Sequence, residues 1–212
     1  MGKNEYAKPD SWSLKAQKEG YPARSVYKLQ EIDEKFHLFR HNFQEGAPLF
    51  KALDLGAAPG SWSLWTLRKI KSAGFVTACD LQPLSRTFDK GLFDGGNFFF
   101  LQGDMTVPEN YAKISGTGPF NLIISDAAPF TSGNRSLDTA RSLELAENAL
   151  HYGETCLRRG GNFCVKIFQG GETAGYIKKL RLMFGTVQTY KPKACRSSSF
   201  ELYAIGLKKK SG

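Results

Sequence analysis

The stretch FKALDLGAAPGSWSLW, residues 50–65, decides the fold. Its apolar run ending in Asp54 reads as a short strand, Gly56 to Gly60 as a glycine-rich turn, and Ser61 onward as the start of a helix. Gly56 and Gly60 permit a sharp turn and close approach of the backbone to a ligand, and the first helical turn offers N–H groups that have no acceptor within the helix. Strand, glycine turn and helix in this order make a site for a nucleoside cofactor. A diphosphate requires Gly-x-Gly-x-x-Gly, and Gly-Ala-Ala-Pro-Gly lacks the second glycine. A cofactor without phosphates therefore fits better than a dinucleotide, which speaks against an NAD-dependent dehydrogenase.

Outward from this turn, apolar runs alternate with helical patterns, the sequence form of a parallel α/β sheet with helices on both faces. The runs predict strands over 51–55, 75–80, 97–102, 121–126, 162–168, 186–190 and 200–207. Helices are predicted over 23–36, 61–71, 86–92, 137–157 and 173–184, and the first ten residues read as loosely ordered. In the first helix Val26, Leu29, Ile32 and Phe36 share a face, with Lys28 and Lys35 at its edge, where a lysine is ordinarily solvated. The run Phe98, Phe99, Phe100 could stack bases, but a short buried strand accounts for it better. With no internal repeat and no linker, one domain over 1–212 is expected, residues 1–49 forming an N-terminal helical extension.

Composition narrows the classes. The chain has 212 residues, enough for one full core, and no apolar run of membrane-spanning length or signal-peptide form. A soluble cytoplasmic protein, expected as a monomer, follows. Cys79, Cys156, Cys164 and Cys195 show no metal-ligand spacing, so no metal and no disulfide framework is expected. The net charge of +9 is unevenly spread: residues 151–212 carry 12 Lys and Arg against 3 Asp and Glu, while the rest of the chain is balanced. Such a cluster suits a polyanion such as RNA, although the Lys208, Lys209, Lys210 triplet reads equally well as a solvated tail.

Several charged residues mark chemistry. Asp80 ends the second strand twenty residues after Gly60, where a carboxylate accepts hydrogen bonds from ribose hydroxyls, and Asp104 ends the third at the same edge. Asp126 ends the strand NLIISD. Lys166 lies within FCVKIF and Glu201 within SFELYAIGL, both among residues expected to be buried. A lysine buried without a partner or a water-lined cleft would cost several kcal/mol, so Lys166 requires either a structural ion pair or a function.

The blocks DLGAAPGSWS, CDL, LQGD, SDAAP, VKIFQG and SFELY, preceded by ARSVYKLQEI, resemble the FtsJ (RrmJ) family of large-subunit ribosomal RNA 2'-O-methyltransferases, in order and over nearly the whole chain. The resemblance implies a Rossmann-like, S-adenosylmethionine-dependent methyltransferase fold, a seven-stranded, mostly parallel sheet whose last strand is antiparallel. It implies a catalytic set of Lys28, Asp126, Lys166 and Glu201, and cofactor contacts at Gly56, Gly60, Trp62, Asp80, Asp104 and Asp126. The expected acceptor is the ribose 2'-hydroxyl of a uridine in large-subunit ribosomal RNA, within the subunit. Transfer RNA, an mRNA cap, or a non-catalytic role in ribosome assembly are the alternatives. The loop KPKACRSSS offers Lys191, Lys193 and Arg196 to RNA phosphates. Lys166 could act as a base only as the neutral amine, favoured by the nearby cation Lys28 and opposed by Asp126 and Glu201, or it could merely orient the hydroxyl.

Overall fold

A computed structural model describes residues 10–40, 48–196 and 198–211. The first nine residues, expected to be loosely ordered, and part of the 1–49 extension lie outside it. The strands are β1 (Phe50–Leu55), β2 (Gly74–Asp80), β3 (Phe98–Gln102), β4 (Phe120–Ser125), β5 (Leu157–Phe168), β6 (Phe184–Tyr190) and β7 (Glu201–Lys209). They form one sheet in the order β3-β2-β1-β4-β5-β7-β6. β7 alone runs against the rest, pairing antiparallel with both β5 and β6. The helices are α1 (Ser11–Lys18), α2 (Val26–Phe36), α3 (Ser61–Ile70), α4 (Pro108–Ser115), α5 (Arg135–Cys156) and α6 (Thr173–Met183).

Strand alternation sorts the core into two layers. Ala52, Leu122, Ile124, Tyr203 and Ile205 face α1, α2 and α3. Leu53, Ile123, Phe163, Val165 and Ala204 face α4, α5 and α6. α1 and α2 thus complete one face of the sheet, and Ala16, Val26, Leu29 and Ile32 are fully buried there. The run Phe98, Phe99, Phe100 is strand, as expected; because β3 is the sheet edge, all three rings are only half-buried.

One expected helix is absent. Residues 86–91 form an irregular loop leading into a 3-10 turn, Leu92–Asp94. Lys90 and Gly91 both have left-handed backbones, with φ of 49° and 79°, which an α-helix does not accept. Arg86 instead pairs across the loop with Asp89 and Asp94. α1 and α4 were not expected, although each carries a start signal: the Asp10 side chain caps Ser13 N at 2.8 Å, and Pro108 opens α4.

Sheet order places the site. Strand order reverses at β1, with β2 on one side and β4 on the other, so the connections leaving β1 and β4 diverge and leave a crevice beyond their carboxyl ends. β7, being antiparallel, begins at the edge where β4 and β5 end, and Glu201 stands opposite Phe168 and Tyr203 opposite Lys166.

Candidate active site

The turn after β1 meets the turn after β4. Gly56 has φ +75°, and a Cβ there would lie 2.5 Å from the Ala127 Cβ, so only glycine allows this approach. Gly60 caps α3 with φ +107°. Beyond these turns lies a cavity of about 540 Å³, within the usual range for small ligands. Asp80, Asp104, Asp126 and Glu144 line it, with Met105 and Asn148 among their neighbours, and its lining among the described residues includes neither Lys nor Arg. Main-chain N–H groups hold two of these carboxylates: Ala58 N and Gln82 N donate to Asp80 at 2.9 and 2.8 Å, and Thr106 N to Asp104 at 2.8 Å. Four carboxylates, of which Asp126 has lysine partners behind it, make this lining unfavourable to phosphates. They suit a ligand bearing hydroxyls and cationic groups, as S-adenosylmethionine does with its ribose, ammonium and sulfonium, and the residues present therefore fit that cofactor.

Of the residues expected at the cofactor, Gly56, Asp80, Asp104 and Asp126 line this cavity, and Gly60 and Trp62 do not. The Trp62 indole turns away: its Nε1 donates to Ser25 O at 2.8 Å and its ring lies 5.8 Å from that of Tyr203. Its side chain ties α3 to the start of α2, leaving its main chain as what it can offer a ligand. Beneath the cavity Asp54 is fully buried, accepts from Ser63 Oγ at 2.6 Å, and has no partner for Oδ1 among the described residues. Burial, with the charges of Asp126 and Asp80 adding to it, pushes its pKa up to about 7.

The expected tetrad is assembled. Lys166 Nζ lies 3.0 Å from Asp126 Oδ1, and Lys28 Nζ lies 2.9 Å from Glu201 Oε2 and 3.9 Å from Asp126 Oδ1. Lys166 and Glu201 are 7% and 8% exposed, so the buried ion pair considered as a structural explanation of Lys166 does form, yet its partner Asp126 opens onto the cavity. Burial acts to raise the Asp126 pKa, but Lys166, Lys28 and the Tyr203 hydroxyl outweigh it and hold the carboxyl below its ordinary range. Burial likewise acts to lower Lys28, and Asp126 and Glu201 reverse this, so Lys28 lies above the usual lysine value and remains an ammonium.

Tyr203 was not foreseen, and its hydroxyl donates to Asp126 Oδ1 at 2.6 Å. It sits two residues after Glu201 in β7, on the same face of the strand, so alternation could have pointed to it.

A second cavity, about 590 Å³, opens on the other side of the tetrad. Lys28 and Glu201 line it together with Arg24, Arg135, Arg196 and Phe200. The loop residues expected to hold RNA divide here. Arg196 lines this cavity, Lys193 lines a different one beside Trp12 and Tyr27, and Lys191 donates back to Ser199 O at 2.5 Å within its own loop.

An antiparallel β7, an acidic nucleoside cavity at the ends of β1, β2 and β3, and a Lys-Asp-Lys-Glu set beside it define a Rossmann-like methyltransferase. The family model described as FtsJ-like methyltransferase matches residues 21–209, and the chain belongs to that family. It is 51% identical over 208 residues to "Ribosomal RNA large subunit methyltransferase E" of Treponema denticola, covering 98% of each chain. It is 42% identical to the protein of that name from Borreliella afzelii, covering 93% of this chain and 96% of the other. Among solved structures it resembles a protein described as a ribosomal RNA methyltransferase from Plasmodium falciparum, with a TM-score of 0.70 and 26% identity over 91% of this chain and all of that one. The fibrillarin/Nop5p complex shares the fold, with a TM-score of 0.58 and 18% identity over 86% of this chain and 82% of that one.

Proposed function

We propose that this protein transfers the methyl group of S-adenosylmethionine to the 2'-hydroxyl of a uridine ribose in large-subunit ribosomal RNA. The observation that carries the reading is the position of the tetrad between an acidic cavity and one rich in arginine, joined through Asp126 and Lys28. The names of the relatives favour ribosomal RNA over transfer RNA or a cap as acceptor. A ribosomal acceptor implies work in the cytoplasm on an RNA partner, by one domain and without a metal.

When bound, S-adenosylmethionine supplies an electrophilic methyl on its sulfonium. Asp80 and Asp104 would accept from its hydroxyls and amines, and Asp126 would offer its carboxylate to a cationic group. On the acceptor side, Lys28 is fixed by Glu201 and presents a constant positive charge to the incoming hydroxyl. Lys166, held by Asp126, acts as the neutral amine, its lone pair taking the hydroxyl proton as the C–O bond forms and the S–C bond breaks.

The test is tritiated-methyl transfer to naked ribosomal RNA and to isolated large subunits. Lys166→Ala is expected to reduce transfer by about 10²–10⁴-fold with cofactor affinity nearly unchanged. A variant as fast as the parent protein would remove Lys166 from the chemistry.

A further inference from the structure

The second cavity contains an aromatic ring that the tetrad does not need. Phe200 precedes Glu201 and is half-buried, and the ring of Phe168 meets it edge-on at 4.6 Å between centroids. The guanidinium of Arg135, the first residue of α5, lies over it, 5.3 Å from the ring centroid. Phe200 and Arg135 line the same cavity as Lys28 and Glu201, so a flat π surface extended by a planar cation stands beside the groups that face the acceptor hydroxyl.

A ribose hydroxyl reaches a tetrad held in a cavity only if its nucleotide leaves the helical stack, and the base then needs a surface to replace the stacking it has lost. Aromatic faces and guanidinium planes supply it for any base. We infer that Phe200 and Arg135 form the wall on which the target base stacks while its 2'-hydroxyl lies between Lys28 and Lys166. This rests on the RNA 2'-O-methyltransferase reading above. It assigns the positioning of the target nucleotide to two residues outside the tetrad, with Arg196 of the same cavity left to hold phosphate.

The test compares the parent with Phe200→Leu, Phe200→Tyr and Phe200→Trp in methyl transfer to large subunits, with S-adenosylmethionine affinity measured by calorimetry in each. Leucine keeps apolar volume against Phe168, and so keeps Glu201 in place, but has no π face. Its kcat/KM for the subunit is expected to fall about tenfold or more, whereas tyrosine and tryptophan stay within about threefold of the parent. Cofactor affinity should be equal in all four. A leucine variant as active as the parent, or aromatic variants as impaired as leucine, would overturn the stacking role. A parent that methylates no RNA defeats the underlying reading and this inference together, and is recognised before any variant is made.

Discussion

The two cavities that meet at the tetrad differ in charge, in lining and in how the chain builds them. The first collects Asp80, Asp104, Asp126 and Glu144 at the ends of consecutive strands and on α5, with no Lys or Arg among its described lining residues. The second draws Arg24 and Lys28 from the α2 region, Arg135 from α5, and Arg196 with Phe200 from the loop before β7. One suits a cationic small molecule and the other a polyanion, and that segregation keeps each ligand from the wrong side. The junction is Asp126, which lines the first cavity while bonding Lys166 and lying within 3.9 Å of Lys28.

The largest effect is therefore expected from breaking the junction. Asp126→Ala leaves the buried side chains of Lys166 and Lys28 without their shared carboxylate, a loss that typically costs about 3–5 kcal/mol of folding stability. Urea denaturation should show that drop, and methyl transfer should vanish. Asp126→Asn retains the shape and an acceptor for Lys166, so it should abolish transfer with a smaller fall in stability. An alanine variant with the parent's stability would mean that the ion pairs do not hold Lys166 in place.

The next comparison separates the cavities. Asp80→Ala removes one charged acceptor from the first cavity, and S-adenosylmethionine affinity measured by calorimetry should fall about ten- to a hundredfold, in line with roughly 1.5–3 kcal/mol for a hydrogen bond to a charged group, while RNA affinity is unchanged. Arg196→Glu should do the reverse: weaker RNA binding, a salt dependence reduced by about one unit of slope, and intact cofactor affinity. Lys193→Glu should have less effect, because Lys193 lies in the cavity beside Trp12. Equal losses for Lys193 and Arg196 would place the RNA path along the whole loop.

The same contrast explains what could be read in the sequence. The cofactor side was legible because its parts recur in one order, each acidic residue within two residues of the end of a strand: Asp54, Asp80, Asp104, Asp126. The acceptor side is assembled from segments more than a hundred residues apart, and only the antiparallel register of β7 brings Glu201 opposite Phe168 and beside Lys28. Lys28 was thus identifiable only by resemblance, since helical spacing put it at the edge of an apolar face like any snorkelling lysine. The positive loop 191–199 pointed to RNA as a whole, but sequence gives no direction to a side chain, and Arg196 and Lys193 face different cavities. The false helix at 86–92 failed for a local reason, two consecutive left-handed residues that a polar pattern does not reveal.

The smallest effect concerns Asp54, which pays for the acidity of the first cavity. Its pKa of about 7 in the folded protein, raised by burial and then by Asp126 and Asp80, lies above that of an unfolded aspartate. Between roughly pH 4 and pH 7 the native state therefore binds more protons at this residue than the unfolded chain does, and stability declines as pH rises through that window. Asp126 works in the opposite sense at lower pH: its depressed pKa contributes stability that is present above the unfolded value near 3.8 and lost only as pH falls below it. Lys28, whose pKa is raised, loses its contribution only as pH climbs beyond the usual lysine range. Asp54, at about 7, titrates around neutrality. Asp54→Asn keeps an acceptor for Ser63 and removes the titration, so its stability relative to the parent, followed by urea denaturation from pH 4 to pH 8, should improve steadily with pH and level off above 7. A constant difference across that range would show that Asp54 stays in one protonation state and that the carboxylates of the cavity do not reach it.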